Sequence, residues 1–139
     1  YTQFLKVPNN TMNRALFFSL TPWAYSLKEI EIGDYCFCNV KLCDIVGLGE
    51  LETIVIGQNS FSNDSDNDEE DDKKKVNGIC RIMNCDRLRS IRFDESSFGD
   101  YHLFELKNLP SLQSIELESD CFFYVPSLSL TGKIDRMNQ

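Results

Sequence analysis

The chain has no excess of basic charge, no long apolar run, no paired C-x-x-C and a single histidine, and each lack removes a class of function. Fourteen Lys and Arg stand against 22 Asp and Glu, a net charge of −8. A phosphate backbone needs a basic footprint, so nucleic acid is not an expected partner. The stretch nearest to a targeting segment, "RALFFSLTPWAYSL" from Arg14 to Leu27, is far shorter than the roughly 20 apolar residues of a membrane-spanning helix, so no membrane insertion is expected. It superficially resembles the apolar part of a secretory signal, but it has no small-x-small cleavage pattern and is read as structural. The cysteines lack the spacing of a zinc site. His102, in "DYHLFEL", is read as a loop histidine between strands, with no glycine-rich elbow and no acid motif to make it the base of a nucleophile.

What the chain does have is one phrase written four times: "LKEIEIGDYCF" from Leu27, "LETIVIGQNSF" from Leu51, "LRSIRFDESSF" from Leu88 and "LQSIELESDCF" from Leu112. Each has Leu first, Ile fourth and Phe eleventh, and the anchors are spaced by 24, 37 and 24 residues. The middle interval exceeds the others by 13, and the surplus falls in "SNDSDNDEEDDKKK", Ser62 to Lys75, which carries seven acids and three lysines. A repeat of 24 residues with an acidic insertion at about 63–75 is the simplest reading. The second half of each unit repeats as well, in "CDIVGLGEL", "CRIMNCDRL" and "FELKNLPSL", and fades in "LSLTGKIDR". Alternation of apolar and polar residues marks a short half-buried strand. The pairs Ile30/Ile32, Ile54/Ile56, Ile91/Phe93 and Ile115/Leu117 define one strand per unit, and Cys43/Ile45, Cys80/Ile82, Phe104/Leu106 and Leu128/Leu130 a second.

A period of 20–29 residues with an L-x-x-L-x-L grammar is that of leucine-rich repeats. From Leu27 to about residue 132 the chain resembles that family, and is most similar to the BspA-type repeats common in surface and secreted proteins of protists and bacteria. The family's usual Asn after the strand is replaced, with Tyr35, Ser60, Ser97 and Cys121 nearby. The resemblance implies a binding role without catalysis.

The expected fold is mainly β: a right-handed leucine-rich-repeat solenoid with two short parallel strands per 24-residue coil and little helix. Residues 1–26 form a degenerate preceding repeat, with Phe18 and Leu20 in the strand role and Trp23 and Tyr25 as plugs near the end of the stack. The full repeats are 27–50, 51–87 with the insertion, 88–111 and 112–135. One coil cannot bury its own Leu, Ile and Phe, but stacked coils turn each position into a ladder. Leu27, Leu51, Leu88 and Leu112 form one ladder, and Phe37, Phe61, Phe98 and Phe122 another. The chain starts at Tyr1 rather than Met, and neither end is polar enough to cap a solenoid, so flanking repeats of a longer chain are expected.

The cysteines fall on repeat positions: Cys43 and Cys80 share the rung of Phe104, Cys85 that of Leu48 and Leu109, and Cys36 and Cys121 that of Ser60 and Ser97. They read as small buried hydrophobes, with a disulfide as the alternative and a metal as the remoter one. Asp64, Asp66 and Asp68 have the rhythm of a calcium loop, but its sixth and twelfth places hold Glu69 and Lys75 instead of Gly and Glu, so no metal is expected. Two glycosylation sequons start at Asn9 and Asn63.

The positions alternating with the ladders change from copy to copy, as a surface tailored to a partner does and as an unconstrained solvent face does too. They are Glu29, Glu31, Thr53, Val55, Ser90, Arg92, Ser114 and Glu116 beside the first strands, and Asp44/Val46, Arg81/Met83, Glu105/Lys107 and Ser129/Thr131 beside the second. The partner-binding candidates are the eight first-strand residues together with Arg81 and Met83, since Arg and Met are enriched in interface cores. The expected function is a non-catalytic protein–protein interaction module with a protein partner and no cofactor. A passive spacer in a longer array is the alternative, and a regulatory domain of an enzyme the remote one.

Overall fold

The computed structural model describes residues 3–12, 14–20, 25–61, 78–98, 101–119, 121 and 129–134, through the backbone alone at 102 and 129–134. Ten strands occur there: β1 (Phe4–Val7), β2 (Phe17–Leu20), β3 (Glu29–Ile32), β4 (Leu42–Val46), β5 (Thr53–Ile56), β6 (Gly78–Met83), β7 (Ser90–Phe93), β8 (Tyr101–Leu109), β9 (Ser114–Leu117) and β10 (Ser129–Ile134). The odd strands form one five-stranded sheet in the order β1-β3-β5-β7-β9, and the even strands a second in the order β10-β8-β6-β4-β2. All pairings are parallel. The chain alternates between the sheets, so each odd–even pair is one coil of a β-solenoid, and no helix occurs among the described residues.

Alternation sets which side of each strand is buried. Ile30 pairs with Ile54 and Ile54 with Ile91, all at 1% exposure or less. The last two are separated by 37 residues rather than 24, so the surplus leaves the ladder unbroken and is confined between Phe61 and Gly78. Leu27, Leu51, Leu88 and Leu112 are all buried. Each fully buried side chain of this size contributes about 1.5–3 kcal/mol. At β9 the ladder opens: Ile115 is half-buried and Leu117 is 39% exposed.

Stacked rings fill the turns after β3, β5 and β7. Phe37 stacks on Phe61 at 5.0 Å, and Phe61 on Phe98 at 4.8 Å, with the latter planes 5° apart. These residues hold left-handed backbone, with φ of 55°, 54° and 56°, as do Tyr35, Asn59 and Ser96 two places earlier. That region costs an ordinary L-residue roughly 1–2 kcal/mol. The ring stack offsets it, and so does the backbone: the N–H of Phe61 donates to the Cys36 carbonyl at 2.9 Å and that of Phe98 to Ser60 at 3.0 Å. At the other corner, after β4, β6 and within β8, the left-handed residues are Gly47, Asn84 and Asn108, and the Asn108 amide donates to Asn84 Oδ1 at 3.0 Å.

Several expectations are corrected. Residues 4–20 form a coil with both strands, so the preceding repeat is more complete than "FSLTPWAYSL" alone suggests. Tyr25 is not a plug: it is 52% exposed and its ring lies over Gly49, where an added Cβ would meet it at 2.6 Å. His102 lies inside β8, where the register against β6 slips by one residue, rather than between strands. The insertion at 63–75, its aspartates, the Asn63 sequon, Trp23 and Phe122 lie outside the described residues.

The six cysteines are free thiols, and Cys36, Cys43, Cys80 and Cys85 are buried. Four of the six also reach backbone carbonyls, Cys85 at Met83 at 3.4 Å and Cys38 at Asn59 at 3.9 Å, and two do so at short distance. Cys36 Sγ donates to the Pro8 carbonyl at 3.0 Å and Cys121 Sγ to Asp94 at 3.0 Å. Ser60 and Ser97 donate from the same repeat position to Gly33 and Gly57, each at 2.7 Å. The slot therefore selects a small side-chain donor, which explains why Cys and Ser alternate there. The position facing each of them is the carbonyl that the preceding coil leaves at the end of its odd strand, a group that must be paired when buried.

Candidate functional site

The two sheets press their inward faces into one core, where Phe93 of β7 meets Phe104 of β8 at 5.7 Å. Each sheet therefore has a separate outward face. On the first, registered pairing aligns Phe4, Glu29, Thr53, Ser90 and Ser114 in one row, and Lys6, Glu31, Val55, Arg92 and Glu116 in the next. The eight first-strand candidates thus lie side by side in a continuous stripe. Arg81 and Met83, in β6, lie on the other sheet and do not join them.

The first-sheet stripe is polar and acid-rich. Arg92 donates to Asp94 at 3.2 Å, and Asp94, Glu116 and Glu118 together raise its pKa further above the ordinary arginine value. Its charge is engaged by acids of its own face. Along the adjoining corner, Arg87 pairs with Glu50 at 3.1 Å and Arg89 with Glu52 at 3.0 Å. Arg87, Arg89 and Glu52 line an open groove completed by Ser111 and Gln113. Exposed pairs of this kind contribute about 0–1 kcal/mol.

The outward face of the second sheet is different. Each even strand from β2 to β8 begins or runs one residue ahead of the expected strand, and that residue is apolar and points outward: Phe17, Leu42, Ile79 and Leu103. Pairing puts Phe17 beside Leu42, Leu42 beside Ile79 and Ile79 beside Leu103. Phe17 is 66% exposed and the other three are half-buried. The next row carries charges of alternating sign: Asp44, Arg81 and Glu105, between Ser19 and Ser129. Arg81 lies 3.5 Å from Glu105. Burial raises the Asp44 carboxyl above its ordinary pKa, Arg81 draws it down again, and Asp44 Oδ1 is shut off from solvent without a hydrogen-bond partner. A third row holds Val46, Met83 and Lys107.

The four apolar residues were legible as a pattern of their own, since "FF", "LC", "IC" and "LF" all place an apolar residue just ahead of the buried rung. A strand read only for alternation starts at the rung and loses them. Near the ends of the same strands Tyr101 is another missed residue: it is buried, its hydroxyl donates to the Val40 carbonyl at 2.6 Å, and burial pushes its pKa up. Gly78 makes the room, because a Cβ there would meet the Tyr101 ring at 2.6 Å.

Among the described residues no group of three or more His, Cys, Asp or Glu is placed to hold a metal ion, and no helix is long and apolar enough to cross a membrane. Comparisons with protein-family models, curated proteins and solved structures give no match.

Proposed function

We propose that this chain is a non-catalytic protein–protein interaction module of the leucine-rich-repeat kind, resembling the BspA-type repeats, and that it binds through the outward face of its second sheet. One observation carries this reading: the in-register apolar row Phe17, Leu42, Ile79 and Leu103 on a face that alternation alone would make polar. Isolated exposed apolar residues are ordinary, but a contiguous row rimmed by charge marks an interaction site. The changing charges beside it, Asp44, Arg81 and Glu105, supply the selectivity that a uniform ladder could not. The first-sheet stripe from Glu29 to Glu116 is the lesser candidate, since its apolar residues Phe4 and Val55 stand in different rows and form no continuous ladder.

Capture of native partners tests the assignment. Wild-type chain is compared with Phe17→Ser, Ile79→Lys and Arg92→Glu, each first shown to keep its thermal midpoint. A partner lost on the first two variants and kept by Arg92→Glu is the expected result. Loss on Arg92→Glu alone would move recognition to the first sheet, and retention by all three would favour a passive spacer.

A further inference from the structure

The chemistry of the second-sheet face also restricts what can lie on it. The strands from β4 to β8 are paired on both sides, so their backbone donors and acceptors are used within the sheet. The face offers side chains only. An extended segment laid on it would leave its own N–H and C=O groups without sheet partners, whereas a helix satisfies its backbone internally. A second copy of this chain fits less well. Laid rung on rung and turned either way round, the row Asp44, Arg81, Glu105 sets acid on acid and Arg81 on Arg81, and a one-rung slip that brings opposite charges together leaves an acid of each copy unopposed.

Dimensions point the same way. Neighbouring strands are about 4.8 Å apart, so four rungs span roughly 14 Å along the stack, which is about ten residues of helix at 1.5 Å each. Apolar side chains three and four apart on a helix repeat at about 5–6 Å, close to the rung spacing. Successive outward rows are roughly 6.6 Å apart, so a helix about 10 Å wide over the apolar row also reaches the charged one.

We infer that the second-sheet face binds an amphipathic helix lying along the solenoid axis, its apolar stripe on Phe17, Leu42, Ile79 and Leu103 and its flank carrying cation, anion and cation opposite Asp44, Arg81 and Glu105. This rests on the reading of that face as the interaction site and names the class of partner it takes. The charge order reads the same from both ends, so it fixes the sequence of charges and not the direction of the helix. A cation over the row also gives the half-buried Asp44 carboxylate a second counter-charge beside Arg81.

The test uses side-chain-stapled helical peptides of about four turns with Leu at helical spacing and Lys, Glu, Lys along one flank. A second probe reverses the flank to Glu, Lys, Glu, a third carries Lys at all three places, and a fourth has the first composition broken by a central proline. The first should bind the wild-type chain about tenfold more tightly than the reversed probe. Phe17→Ser and Ile79→Lys should weaken it, and Arg81→Glu should shift preference to the all-lysine probe. Equal binding of the proline-broken probe, or indifference to charge order, overturns the helix. If helical probes fail while Ile79→Lys still loses native partners, this inference falls alone. If native partners also ignore Ile79→Lys and Phe17→Ser, the reading of the face falls with it.

Discussion

Removing the ring of Phe98 is the sharpest test of the stacked core. Phe98 is fully buried and among the described residues touches three aromatic partners: Phe61 at 4.8 Å in a stack, Phe93 at 4.7 Å tilted and Tyr101 at 4.9 Å edge-on. Phe→Ala in a core costs about 3–5 kcal/mol. Aromatic pairs add roughly 0.5–1.5 kcal/mol each beyond their area, so three lost pairs place Phe98→Ala at the upper end, about 4–5 kcal/mol. Alanine also keeps the left-handed backbone of Phe98, at φ 56°, without the ring that offset it. Among the described residues Phe37 meets two rings, Phe18 and Phe61, and it is 4% exposed, so Phe37→Ala should cost less, about 3 kcal/mol. Urea unfolding followed by circular dichroism reads both, with an unchanged slope confirming that the denatured states are comparable. A loss under about 1 kcal/mol at Phe98, or a larger loss at Phe37, would refute the ring ladder.

Three other outcomes follow from local geometry. Ser97→Ala should cost about 1–3 kcal/mol, because the buried Gly57 carbonyl loses its donor at 2.7 Å, while Ser97→Cys should cost clearly less; equal losses in urea melts would remove the donor role. Gly78→Ala should cost about 1–3 kcal/mol by driving a Cβ into the Tyr101 ring, and less in a Tyr101→Leu background; equal costs in the two backgrounds would break the link. The thiols carry a pH signature. Burial raises the pKa of Cys80 and Cys85 and pushes Cys121 up to about 11. A raised folded pKa means that the unfolded chain loses its thiol protons first, so this contribution to stability is complete below the unfolded value of about 8.5 and is lost as pH rises toward the folded values. Thermal midpoints measured on either side of pH 8.5 should therefore decline on the alkaline side. Alkylation at about pH 8 should spare Cys43, Cys80 and Cys85 until the chain unfolds, and rapid native labelling of Cys80 would contradict its burial.

The ladders could be read from sequence because burial demands the same residue type at every coil, which is why Leu27, Ile54 and Phe98 announced themselves by repetition. The intact register across the surplus between Phe61 and Gly78 follows from the same demand. The first coil was only half legible: β1 is "FLKV", whose Phe4 and Leu5 replace the expected polar residue and Ile, and Met12 stands at the turn position of Phe37. Repeat position reads Cys36 and Cys121 as small buried hydrophobes, and their role as donors depends on where a neighbouring coil places a carbonyl. Tyr101 reaches Val40 across 61 residues, a contact that no local pattern reports. The apolar row was missed for a related reason: alternation marks which residues face inward and says little of an outward position that is apolar in four copies and Ser127 in the last.

Methyl NOEs along that row test the assignment most directly, because Leu42, Ile79 and Leu103 come from three coils separated in sequence by the insertion and a full repeat. With strands about 4.8 Å apart, cross-peaks should join Leu42 to Ile79 and Ile79 to Leu103. Their absence, or a cross-peak from Ile79 to Val46 in their place, would mean that the coils are not in this register and that the row does not exist.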